Sequence, residues 1–247
     1  MSGISPGRAC FALGISGLGV LSLISGDFAY TWQPVPEGLP WREALARISG
    51  LFLVTGGAGL LLEKRTVAFS RGVALYLLSW VVVLHGPPVV RAPLDVGAWL
   101  GVAENLILMT GAWILCLGEG GAPRSLRVAR FLVGASCLIL GLSHFVYASV
   151  TAGMIPSWIP AHLGFAYFTG SAHAAAGAAI LLGIVPRLAA TLEAVMVSLF
   201  VILLHAPGVA GAWGNRLQWT MFFVATALAG ALWLLAGTYR TTPQPSA

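Results

Sequence analysis

A few ionisable side chains in this sequence fall inside or at the ends of long apolar runs. A charge in such a run costs free energy, so each is a candidate for function. His144 lies roughly 6 Å inside one end of its run, and His173 lies near the middle of the next, roughly 15 Å deep. Glu104 sits roughly 9 Å inside another run. His85 and His205 close two more, and Asp27 closes the first. Paired histidines at depth can ligate haem, and a His/Glu cluster can hold a metal. A quinone or similar amphipathic ligand needs less, one or two hydrogen-bonding groups beside an apolar cleft. There is no HxxxH pair to strengthen the first two chemistries. A quinone-like ligand is therefore preferred over haem, no metal site is expected, and no cofactor is fixed. There is also no nucleotide-binding glycine loop, phosphate loop or Ser/His/Asp signature. No catalytic residue is identified, and a stand-alone enzyme is not the expectation.

Helical spacing suggests how these groups are presented. His144 and Tyr147 are i, i+3 neighbours, and Thr169, Gly170, His173 and Gly177 form one stripe. Small residues beside His173 let a neighbouring helix or a planar ligand come close. Tyr167 shares a side with Gly170 and would line an entrance. The candidate ligand-binding set is Glu104, His144, Tyr147, Tyr167, His173 and His205. Each has a plainer alternative. His173 could bond Thr169 or a backbone carbonyl and lock two helices. His85 and His205 could be helix C-terminal residues favoured by the dipole. Glu104 could be structural, and Asp27 a solvated terminal residue.

The elements that carry these residues are membrane spans. Hydrophobic residues are 58% of the chain and charged residues 9%, with a mean hydropathy of +0.89. A soluble domain carries about 25% charged residues. The net charge of +5 is spread singly through loops, which argues for topology and against nucleic acid. Eight continuous apolar runs are expected at 11–28, 46–62, 68–85, 98–117, 128–148, 163–183, 187–205 and 217–237. Each matches a hydrocarbon core of roughly 30 Å. Continuity favours helices over a barrel, giving an all-α, polytopic bundle. The first run is read as a retained span rather than a cleaved signal. Nine basic residues, including Arg8, Arg71, Arg130, Arg187 and Arg240, fall on one side of the membrane, against Arg42, Arg47, Arg91 and Arg216 on the other. That asymmetry puts both termini in the cytoplasm of an inner-membrane protein. The candidate residues then gather toward the outer side, with Glu193 as the main ionisable group of the inner half.

The chain also echoes itself. Asp27-Phe28-Ala29-Tyr30 aligns with His144-Phe145-Val146-Tyr147, and Trp41 with Trp158, 117 residues on (27 to 144, 41 to 158). Leu84-His85-Gly86-Pro87 aligns with Leu204-His205-Ala206-Pro207, and Trp99 with Trp219, 120 residues on (85 to 205, 99 to 219). Two parallel four-helix repeats are expected, 1–117 and 128–247, joined by a cytoplasmic linker at 118–127, the second ending in a short cytoplasmic tail. Cys10, Cys116 and Cys137 form no CxxC pair and read as packing residues.

Each half resembles the four-helix module of the DoxX-like membrane family, and the whole chain a duplicated version. The residues that carry the resemblance are His144-Phe145-x-Tyr147, then Ile155-Pro156-x-Trp158-Ile159-Pro160, then Phe168-x-Gly170-x-x-His173-x-x-x-Gly177 and the short basic turn at Arg187. The resemblance implies a small membrane subunit, possible partners in a quinone-linked redox complex, and a basic residue near the end of the first span. That place holds Asp27 in one copy and His144 in the other, so the second copy is expected to carry the site. The expected function is binding of a small apolar or quinone-like ligand from the outer side. The alternatives are a small-molecule transporter or exporter, whose Glu104 and Glu193 would relay protons, and a non-catalytic scaffold.

Overall fold

A computed structural model describes residues 4–118 and 121–239. Residues 119 and 120 of the expected linker, Arg240 and the expected tail lie outside the described residues. Every regular element among the described residues is helical. The chain runs α1 (Pro6–Ser25), α2 (Arg42–Leu60), α3 (Thr66–Ser79), α4 (Gly86–Arg91), α5 (Val96–Leu117) and α6 (Pro123–Val146). It continues as α7 (Ala148–Met154), α8 (His162–Leu182), α9 (Pro186–Phe200), α10 (Ala206–Gly211) and α11 (Arg216–Gly237). Because α6 already starts at Pro123, the connector between the halves is shorter than expected.

Seven helical stretches among the described residues are long and apolar enough to cross a membrane. The protein is a multi-pass membrane protein. The eighth expected span, α2, is not among the seven. It has 19 residues, but its first two turns hold Arg42, Glu43 and Arg47. These charges are engaged at one end. Arg47 pairs with Glu43 at 2.8 Å and donates to the Leu23 carbonyl, while Arg42 donates to the carbonyls of Val35 and Pro36.

Local signals explain the helix ends. Ser5 caps α1 by accepting from the Arg8 N–H at 3.3 Å. Asp95 and Asn215 cap α5 and α11 in the same way, each accepting at 2.9 Å from the N–H two residues on. These side chains satisfy donors that the first turn leaves unpaired. The expected spans stop at His85 and His205, but the prolines that follow do not end the helices. The chain widens into π-helical turns at Trp80–His85 and Val201–His205, then resumes as α4 and α10. Pro87, Pro88 and Pro207 have no N–H, so they withdraw donors from the preceding turn. A wider turn accommodates that loss.

The long helices pack in a closed order: α1, α2, α3, α5, α6, α8, α9, α11 and back to α1, with α5 also touching α11. That cross-contact divides the bundle into two five-helix rings sharing α5 and α11. The first ring is packed with side chains such as Ile15, Leu53, Leu77 and Ile107. The second, formed by α5, α6, α8, α9 and α11, is hollow.

Candidate functional site

The hollow is a cavity of about 660 Å³, within the size range of ligand pockets. Glu104, His144, Tyr147, His173 and His205 all line it, as does His85. Tyr167 does not. It is 43% exposed and stacks on Phe145, with ring centroids 5.8 Å apart, at the outer edge of the α6–α8 contact. Sharing a side with Gly170 placed Tyr167 against α6 instead.

The small-residue stripe brings α6 itself close to α8. A Cβ on Gly170 would lie 2.7 Å from the Cβ of His144, and one on Gly177 would lie 2.6 Å from the Gly134 carbonyl. Such glycines let backbones approach in lipid. The approach brings the His144 and His173 rings to 4.8 Å between centroids. Two imidazoles on opposite faces of a haem iron need centroids about 6 Å apart, from metal–nitrogen bonds of roughly 2 Å. A haem sandwiched between this pair does not fit. Nor do three His, Cys, Asp or Glu side chains converge on a metal position among the described residues.

The most consequential contact was not legible in advance. His173 Nδ1 lies 2.6 Å from Glu193 Oε1, and the two side chains are 2% and 0% exposed. Thr169, the partner suggested by spacing, instead donates to the Phe165 carbonyl at 2.9 Å. Glu193 had been assigned to the inner half alone. It lies about 10 Å along α9 from one face, and His173 about 16 Å along α8 from the other. In antiparallel neighbours those depths nearly coincide. The usable signal was that buried ionisable groups in membranes pair with one another. Cys137 of α6 is buried against the same carboxylate. Glu193 Oε2 has no hydrogen-bond partner among the described residues.

His144 donates from Nδ1 to the Leu140 carbonyl at 2.8 Å, which leaves Nε2 for the cavity. Tyr147 reaches from the cavity wall to Asp95 Oδ1, donating at 3.3 Å. On the opposite wall, Trp32 Nε1 donates to Glu104 Oε2 at 2.6 Å. His85 is buried rather than terminal. Its Nε2 lies 3.0 Å from the Trp32 carbonyl and 3.0 Å from Asn105 Nδ2. Gly101 makes room for the ring, since a Cβ there would overlap His85 Nδ1. Trp32 and Asn105 were missed because a loop Trp reads as an interfacial anchor, as exposed Trp41 and Trp158 do here. His205 lines the cavity within its π-turn.

Asp27 is a clasp rather than a solvated end. It pairs with Arg42 at 2.7 Å and with Arg216 at 3.1 Å, and Arg216 also donates to the Phe28 carbonyl. Partial burial pushes the Asp27 carboxyl up. The Arg216 hydrogen bond, the Phe28 N–H and the charges of Arg42 and Arg216 outweigh it and hold the group below the usual carboxylate range. No protein-family model, curated protein or solved structure matches this chain.

Proposed function

We propose that this is a DoxX-like inner-membrane protein that binds a small apolar or quinone-like ligand, as a subunit of a membrane redox complex. In this reading two parallel four-helix repeats make eight crossings, with α2 as the eighth. Both termini are cytoplasmic, and the cavity opens toward the outer side. The observation that supports it best is the His144–His173–Glu193 group at the wall of an otherwise apolar cavity of about 660 Å³. Phe168 and Leu199 line the cavity and are also exposed on the bundle surface. They offer an apolar ligand a way in from lipid. The test is native mass spectrometry of the full chain in mild detergent, before and after incubation with a short-chain quinone. A retained small-molecule mass that is lost when Leu228→Trp fills the cavity is the expected result. A wild-type chain that retains nothing under either condition overturns the reading.

One observation favours passage through the protein. A groove of about 280 Å³ between α8 and α9 leads from Val185 to Glu193, and Met196 lines both it and the main cavity. A transporter would show proton-driven flux in vesicles that stops in Glu193→Gln. Flux unchanged in that variant counts against it.

A further inference from the structure

We infer that the group held between His144 and His173 is a hydroxyl, of a hydroquinone, phenol or alcohol. It accepts a hydrogen bond from His173 Nε2 and donates one to His144 Nε2. This rests on the cavity being a ligand site, and it names the chemical form the site selects.

The hydrogens on both rings follow from their partners. A carbonyl only accepts, so His144 Nδ1, 2.8 Å from the Leu140 oxygen, carries a hydrogen. His144 has no carboxylate partner and lies in an apolar wall, where an unpaired charge is costly, so its ring is neutral and Nε2 is an acceptor. The His173–Glu193 pair is 2% and 0% exposed and meets only the apolar cavity and groove. The titratable groups facing it are Cys137 and His144, both on α6. Glu104 lies on the α5 wall and is engaged by Trp32. Glu193 Oε2 has no hydrogen-bond partner among the described residues, with only the Cys137 thiol beside the carboxylate, and the groove that Glu193 borders is lined by Ala172, Ala176, Ala179 and Leu192. A net charge there would lack solvation, so the pair is stable with zero net charge. That state can be imidazolium with carboxylate, or imidazole with carboxylic acid. In both, the proton shared with Glu193 lies at Nδ1···Oε1 and His173 Nε2 carries a hydrogen. Nε2 is a donor.

The wall therefore presents one donor and one acceptor side by side, with no hydrogen bond between them among the described residues. The nearby hydroxyls do not compete, because Ser143 donates to the Leu140 carbonyl and Thr169 to the Phe165 carbonyl. A hydroxyl satisfies both groups at once. A quinone carbonyl or an ether satisfies only the donor, and an ammonium only the acceptor.

The test uses the full chain in detergent under anaerobic, reducing-agent-controlled buffer. The probes are a short-chain alkyl hydroquinone, its quinone and its methyl ether, read by native mass spectrometry and by quenching of tryptophan fluorescence. The hydroquinone is expected to bind about tenfold tighter than the quinone or the ether, the worth of one hydrogen bond at a desolvated site. In His144→Leu the preference falls to about twofold or less, while affinity for the ether is kept. His144→Gln, whose amide can still accept, restores part of it, so a folding defect in the leucine variant does not decide the outcome. Equal affinity for hydroquinone and ether in wild type overturns the inference and leaves the ligand site standing. Failure of all three probes to bind overturns both.

Discussion

The two rings that share α5 and α11 have opposite interiors. In the first, Gln33 reaches in from the loop after α1. It donates to Ser49 Oγ at 3.0 Å and to the Tyr76 hydroxyl at 3.3 Å, and Tyr76 donates to Ser49 at 2.6 Å. Gln33 Oε1 accepts from the Ala29 N–H, and Trp80 packs edge-on to Tyr76 with centroids 5.3 Å apart. On the proposed repeat, the places 117 or 120 residues on hold Val150, Ala166, Met196 and Phe200 (33 to 150, 49 to 166, 76 to 196, 80 to 200). Three of these, Val150, Met196 and Phe200, line the cavity. The exchange also runs the other way. His173 and Glu193 correspond to Gly56 and Val73 (56 to 173, 73 to 193), and a Cβ on Gly56 would lie 2.7 Å from Val73 Cγ2. One ring thus spends its polar groups on each other and is closed by them. The other gives up those groups, keeps a buried ion-pairing position, and is left with space. The lesson is that a helix framework fixes where side chains meet, while a handful of residues decide whether the meeting place is a plug or a pocket.

The largest effect should come from splitting the pair that the first ring lacks. Glu193→Ala is expected to lose about 3–5 kcal/mol of unfolding free energy, because it strands a buried histidine. The double variant His173→Gly with Glu193→Val, which copies the first ring, should recover part of that loss. Unfolding by denaturing detergent measures both, and a single variant as stable as wild type would break the comparison. Next is a transplant of the plug. Val150→Gln, Ala166→Ser and Met196→Tyr together should lower occupancy of the cavity by about tenfold or more while the bundle stays folded. Retained ligand would show that the two sets of positions are not equivalent. The smallest effect concerns the clasp that ties loop 26–41 to α11. Its carboxyl is held low, so its contribution is present above the ordinary aspartate value of about 3.9. It is lost as pH falls through the lower folded value. Asp27→Asn should therefore lower the melting temperature at pH 7, by an amount that shrinks as pH falls below about 3.9. A constant difference across that range would assign the effect to packing instead.

Much of the fold was legible because continuous apolar runs have one economical solution in lipid, and the starts of α5, α8, α9 and α11 fall within a few residues of the expected places. What was not legible has specific causes. Helix α2 begins with Arg42, Glu43 and Arg47, which sets it apart from the seven apolar stretches. The expected spans stop at His85 and His205 because sequence alone does not reveal a π-turn that carries the helix onward. Glu104, His144, His173 and His205, picked for polarity at depth, and Tyr147, picked for its spacing to His144, line one cavity, while Tyr167 stacks on Phe145 away from it. Glu193 was counted but left without its partner. A pairing 20 residues apart (173 to 193) across two helices leaves no local spacing to read.

The π-turns at Trp80–His85 and Val201–His205 have a genetic consequence. Such a turn is an α-helix with one residue too many. Losing a single codon in either stretch would leave a continuous helix and an apolar run of nearly the same length. Everything beyond it would keep its facing, because the wider turn absorbs the extra residue locally. The surrounding segment would still insert, and the change would fall on the side chains inside the turn. Reading frame, span count and hydropathy would all survive a change confined to the stretch that ends in His85 or His205.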